Sequence, residues 1–243
     1  MKPRRAAALA LAAFVLGLVA AAVPAGAEES IPVPSPRPAH APKATSKSGT
    51  KTTTPNLSVT IPKPPPGGYK GGTVIILRGL HNVWSRGMDA LAKKFEKQGV
   101  PVTLANHSHW QFLANDTIAK YKKDKNAAPI IIIGHSLGGD AALVMSNWMV
   151  HNGVPVRLVV VFDAVSQTHP LDAGIAEVLN FYKPKGYGQE VVGNSRFNGK
   201  IVNVDLTTRK DVDHLNIDED QQLQDEVLAL SLNILKGQKT ASR

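Results

Sequence analysis

The chain has 243 residues, 43% of them apolar and 19% charged, with no cysteine and a formal net charge of +9. That apolar share excludes a wholly disordered chain. The missing cysteines exclude a disulfide scaffold, a thiolate metal site, a cysteine nucleophile and a lipid anchor on an N-terminal cysteine. Residues 1–27 carry +3, residues 28–70 carry +4, and residues 71–243 carry only +2, from 19 basic and 17 acidic side chains. The basicity therefore sits ahead of the body, which argues against a nucleic-acid partner.

Residues 1–27 have the order of a secretory signal peptide. Lys2, Arg4 and Arg5 precede the apolar run Ala6–Val23, and Ala25-Gly26-Ala27 supplies small residues for cleavage. The expectation is a periplasmic or secreted protein with no stable membrane insertion once the leader is removed. Residues 28–70 are rich in Pro, Ser, Thr and Lys, with repeated X-Pro steps at Ile31-Pro32-Val33-Pro34-Ser35-Pro36. Such a tract denies helix and cannot bury a core, so it is expected to be a disordered tether. The alternative is an arm that associates with envelope material.

From Gly71 onward the pattern is that of a folded domain, 71–243. Thr73–Leu77 is an apolar run suited to a strand buried on both faces. Ser85 is placed to cap a helix whose Met88, Leu91, Ala92 and Phe95 share a face, ended by Gly99. A short strand at Val102–Ala105 and a helix near Trp110–Tyr121 follow. Pro129–Ile133 reads as the third strand, followed by a helix that begins at Ser136 and continues through Ala141–Val150. Val156–Phe162 reads as the fourth strand and Ile201–Leu206 as the fifth. Asp218-x-x-Gln221 resembles a capping box for a last helix striped by Leu223, Val227, Leu230 and Ile234. This alternation predicts an α/β fold, with a mostly parallel central sheet of about five to six strands and helices on both faces.

Between the third strand and its helix stands Gly134-His135-Ser136-Leu137-Gly138-Gly139. A G-x-S-x-G string is weak by itself, but a buried strand before it and a helix after it make the setting a nucleophile elbow requires. The glycines let the serine backbone take a strained turn between closely packed elements. Ser136 then sits at a helix N-terminus, where the dipole favours developing negative charge. A serine hydroxyl also needs a base, and histidine suits that role at neutral pH. His151, at the far end of the helix that carries Ser136, lies about 20 Å along it and points away. His169 and His214 remain as candidates; Asp163, ending the fourth strand, and Asp205, ending the fifth, are candidate acids.

The Gly134–Gly139 string, its setting and the strand order resemble the α/β-hydrolase superfamily in its lipase and thioesterase-like branch, over about Gly71–Gly237. The resemblance implies a small cap and a serine, acid, histidine order along the chain. It favours His214, in the loop before the last helix. It favours Asp163 over the alternative Asp205, because Phe162-Asp163-Ala164-Val165 is similar to the Leu-Asp-Pro element of these enzymes. It also implies an oxyanion hole from the backbone amides of Leu137 and Leu80, with Gly79 next in line.

The 37 residues 164–200 are expected to cover the site, with a short helix at Leu171–Tyr182. Trp84, Trp110, Phe181, Tyr182 and Tyr187 are candidate pocket aromatics, and His81 is expected at the pocket rim or surface. His107 and His109 lack a third ligand nearby, so no metal is expected, and no cofactor is required. The function implied is an exported hydrolase of esters or thioesters acting on a small-molecule or lipid ester through an acyl-enzyme. The alternatives are an inactive hydrolase-fold module that binds envelope material, and an acyltransferase using the same three side chains.

Overall fold

The computed structural model describes residues 49–51, 59–80, 85–166 and 170–237. The leader, much of the tract before Gly71, and His81, Trp84 and His169 lie outside the described residues. Among the described residues seven strands make one sheet: β1 (Gly49–Lys51), β2 (Thr73–Arg78), β3 (Val102–Asn106), β4 (Ile130–His135), β5 (Leu158–Phe162), β6 (Glu177–Tyr182) and β7 (Lys200–Asp205). Their order is β1-β7-β6-β5-β4-β2-β3, and every neighbouring pair is parallel. The helices are α1 (Arg86–Lys97), α2 (Trp110–Lys123), α3 (Leu137–His151) and α4 (Gln221–Lys236).

Strand alternation divides the core in two. Val74 and Ile76 of β2 and Ile131 and Ile133 of β4 face Met88, Leu91 and Phe95 of α1 and Leu223, Val227 and Leu232 of α4. Ile75, Leu77, Ile130 and Ile132 face Ala142 and Met145 of α3 and Ala114 and Ile118 of α2. The four consecutive isoleucines of β4 are thus needed because both faces are covered, and all four are fully buried. This is the parallel α/β arrangement that the resemblance implies, its sheet covered by two helices on each face.

Three expectations are corrected. Residues Leu171–Tyr182 hold no helix; Glu177–Tyr182 is β6, an inner strand between β5 and β7. Leu179 and Phe181 enter one core while Val178 enters the other, a period-two pattern that only a strand provides. The start of α4 is capped by Asp220, whose carboxylate accepts from the Gln222 and Leu223 amides at 3.0 Å each. Asp218 is instead fully buried. The tract before Gly71 contributes β1, and Ile61 and Tyr69 from it pack against the first core. These apolar residues find a surface that composition alone does not reveal.

Candidate active site

The site forms at the carboxyl edge of the sheet, where β4 meets α3. Ser136 occupies the turn with φ 57° and ψ −126°, a conformation that L-residues rarely adopt. Close packing enforces it. A Cβ on Gly134 would lie 2.0 Å from the Gly138 carbonyl oxygen, and one on Gly138 would lie 2.1 Å from the carbonyl oxygen of Leu77. The Ser136 amide donates to Phe162 O at 3.0 Å, tying the turn to the end of β5.

Directly after Phe162, Asp163 also has a positive φ, 50°. Its carboxylate is buried, and its Oδ1 accepts the Lys183 amide at 2.8 Å. Its Oδ2 lies 2.7 Å from His214 Nδ1, and His214 Nε2 lies 3.1 Å from Ser136 Oγ. With Nδ1 carrying the proton, His214 donates to the carboxylate and presents a lone pair to the serine hydroxyl. The structure therefore brings Ser136, His214 and Asp163 into one hydrogen-bonded chain.

Asp205 does not join it: its Oδ1 accepts from the Thr207 amide at 2.7 Å and closes a turn after β7. Nor does His151, whose Nε2 meets Asp172 at 2.9 Å at the far end of α3. His107 Nδ1 bonds the Gly79 carbonyl at 3.1 Å. Of the nominated aromatics, Phe181 and Tyr182 are buried in the sheet, and Trp110 stacks edge-on against Trp148. Tyr187 reaches the site, its ring 4.7 Å from that of His214.

Leu137 opens α3, so its amide is one of the first-turn donors that the helix cannot pair. Leu80 lies across the cleft in the turn after β2. The Gly79 amide beside it is already engaged, donating to Ser85 Oγ at 2.9 Å, which leaves Leu80 as the candidate donor from that turn. Ser85 precedes α1 but makes no side-chain cap bond to it, contrary to expectation. A cavity of about 260 Å³ is lined by Leu80, Ser136, Tyr187, His214 and Leu215, with the buried Ser85 and His135 also on its wall. A larger cavity, about 470 Å³, touches Pro129 and Val156 at the opposite end of the sheet.

Several supporting residues escape a reading of the sequence. Lys183 holds Asp163 with its backbone amide and holds the His214 loop with its ammonium, which donates to the carbonyls of Arg209, at 2.7 Å, and Val212. Gly188 is packed against the same carboxylate, since a Cβ there would fall 2.0 Å from Asp163 Oδ1. Their signal was hidden while the segment before them read as a helix. The loop of His214 is further fixed by Asp213, which accepts from the Leu215 amide at 2.8 Å, and by the Arg209–Asp220 ion pair at 2.6 Å.

Residues 74–171 match the family model of class 3 lipases, a span that includes Ser136 and Asp163 and ends before His214. No curated protein matches the chain. Among solved structures, human thioesterase 2 is similar at 12% identity and a TM-score of 0.43, covering 70% of this chain and 99% of its own. A candidate hydrolase of the alpha/beta superfamily from Xanthomonas campestris pv. campestris gives 17% identity and a TM-score of 0.40, with 67% and 98% covered. RedJ, the thioesterase from the prodiginine biosynthetic pathway of Streptomyces coelicolor, gives 9% identity and a TM-score of 0.41, with 73% and 96% covered. Across residues 74–171 the chain is similar to the class 3 lipases, and that span holds the strand, turn and helix around Ser136.

Proposed function

We propose that this protein is an exported serine hydrolase that cleaves carboxylic esters through an acyl-enzyme. The observation that carries the reading is the unbroken path from Asp163 Oδ2 through His214 to Ser136 Oγ, at 2.7 and 3.1 Å. Export rests on the leader sequence, and lipase-type chemistry on the family match.

In the acylation step Ser136 Oγ attacks the ester carbonyl carbon while His214 Nε2 takes the hydroxyl proton. Asp163 keeps Nδ1–H directed toward itself and stabilises the imidazolium that forms. The carbonyl oxygen becomes an alkoxide and is met by the amides of Leu137 and Leu80, each such donor being worth about 3–4 kcal/mol. Collapse of the tetrahedral adduct breaks the bond to the alkoxy group, which leaves with the proton from Nε2. Water then attacks the acyl-enzyme, gives its proton to His214 and releases a carboxylic acid, while Ser136 regains its hydrogen. Leu80, Tyr187 and Leu215 are exposed around the cavity and present an apolar rim to the acyl or alcohol portion of the ester.

The test is hydrolysis of p-nitrophenyl esters of graded chain length by the purified protein, with Ser136→Ala alongside. A clear wild-type rate that falls about 10⁴-fold or more in the variant supports the reading. Equal, slow rates for both proteins on every ester, with no labelling of Ser136 by a serine-directed phosphonate, overturn it.

A further inference from the structure

Beneath the Ser136 turn lies a second serine, histidine and aspartate set that the proposed reaction does not use. His135, the last residue of β4, points to the α1 and α4 side of the sheet, and its side chain is 1% exposed. Its Nδ1 lies 2.9 Å from Ser85 Oγ, and its Nε2 lies 2.9 Å from the backbone carbonyl oxygen of His214. Ser85 Oγ in turn accepts the Gly79 amide at 2.9 Å.

The direction of this chain follows from its ends. A carbonyl oxygen only accepts, so Nε2 carries the proton and donates to His214 O. Nδ1 of the neutral ring is then an acceptor, and Ser85 donates its hydroxyl hydrogen to it while receiving Gly79 N–H. Every side-chain polar atom of Ser85 and His135 is used, as burial demands.

Asp218 stands nearby, with Oδ2 3.8 Å from His135 Nδ1 and both carboxyl oxygens without a hydrogen bond among the described residues. The first-turn amides of Gly87 and Met88 in α1, and the acidic Glu219, are the other groups that act on it. Burial holds His135 down at about 4 and pushes Asp218 up to about 7. Both are therefore neutral between those values, and no ion pair reverses the hydrogen-bond direction.

We propose that Ser85 and His135 are positioning residues for ester hydrolysis: one hydrogen-bonded chain beneath Ser136 fixes both the oxyanion turn at Gly79-Leu80 and the backbone of His214. The inference rests on the proposed roles of Ser136 and His214. It explains why these two buried polar side chains stand beside a largely aliphatic core, at the point where three chain segments must keep register. Ser85 takes Gly79 N–H out of competition and leaves the Leu80 amide free to meet the oxyanion. His135 holds the His214 carbonyl while the imidazole of His214 reaches Ser136.

The test compares Ser85→Ala, His135→Gln and His135→Asn with wild type and Ser136→Ala, with rates expressed per active site titrated by phosphonate. Glutamine places an amide donor near the position of Nε2, and asparagine places an acceptor near that of Nδ1, so each keeps one tie and gives up the other. Ser85→Ala is expected to lower kcat about 10- to 100-fold, with KM within about twofold. Each histidine variant is expected to lower kcat. Ser85→Ala with His135→Gln should be no worse than Ser85→Ala alone, because the same tie is lost. Ser85→Ala with His135→Asn should be worse than either single change. If all single variants keep kcat per titrated site within about twofold while Ser136→Ala is inactive, the positioning role is overturned and the hydrolase reading stands. If rates fall only in proportion to the titrated sites, the residues serve folding alone and the positioning role is likewise overturned. An active Ser136→Ala overturns both.

Discussion

Two sets of serine, histidine and aspartate lie within a few ångströms of one another in this protein, and they differ in how the carboxylate is held. Asp163 receives two hydrogen bonds, from His214 at 2.7 Å and from the Lys183 amide at 2.8 Å. Asp218 receives none among the described residues and sits 3.8 Å from His135. The first imidazole opens onto the cavity and is aimed at the Ser136 hydroxyl; the second is buried, takes the Ser85 hydroxyl at one nitrogen and spends its donor on a backbone carbonyl. The same three residue types thus support different tasks. A paired carboxylate can stabilise an imidazolium, whereas an unpaired buried one is driven to protonate and cannot.

The sharpest way to break this contrast is to neutralise each acid. Asp163→Asn is expected to cost about 10⁴ in kcat, by favouring the wrong tautomer of His214, while Asp218→Asn stays within about tenfold. Ester hydrolysis at constant pH measures both, and comparable losses would erase the distinction.

The next largest effect is on stability against pH. The raised Asp218 pKa, about 7, means that the native state holds a proton the unfolded state has released, so stability falls as pH rises from about 4 to 7. The lowered His135 pKa, about 4, works the opposite way: the unfolded state binds the extra proton, so stability rises with pH from about 4 to 6.5. In the intact protein the two slopes oppose each other. Asp218→Asn should leave the rising slope, of roughly 3 kcal/mol, and His135→Gln the falling one, of roughly 4 kcal/mol, by urea unfolding across that window.

Gly188→Ala intrudes most closely on Asp163, because its Cβ would meet Oδ1 at 2.0 Å, the Lys183 amide nitrogen at 2.8 Å and Tyr182 Cβ at 2.9 Å. A loss of about 100-fold in kcat is expected from displacement of the carboxylate by roughly an ångström, and an unchanged rate would show that the loop yields. The smallest effect belongs to Asp205→Asn, within about threefold, since that carboxylate closes a turn at Thr207 and does not touch His214.

Much of this was legible in the sequence because it is local. The four isoleucines and the Gly134–Gly139 string specify a buried strand, a strained turn and a helix in one continuous stretch, and the structure has them over Ile130–His151. Position after a strand makes Asp163 and Asp205 candidate acids and His169 and His214 candidate bases, the family resemblance favours Asp163 and His214, and the structure sets those two beside Ser136. What was illegible depends on distant partners. Residues 171–182 carry too short an apolar run to separate strand from helix, and only pairing with β5 and β7 decides it. Asp218 looks like a cap in sequence, yet burial against His135 gives it another environment while Asp220, two residues on, does the capping. Ser85 meets His135 across 50 residues, and His135 meets the His214 carbonyl across 79, so no window along the chain contains either bond.

The three residues Gly49–Lys51 have a consequence for how the molecule keeps to itself. Without them β7 is the terminal strand on its side of the sheet, and a row of backbone donors and acceptors from Val202 to Val204 lies open to any extended chain. A protein shortened to begin at Gly71 is expected to self-associate through that row, visible as concentration-dependent growth in light scattering. The stretch that composition marks as a spacer would then be a stopper, and its loss would show first in colloidal behaviour, before any change at Ser136.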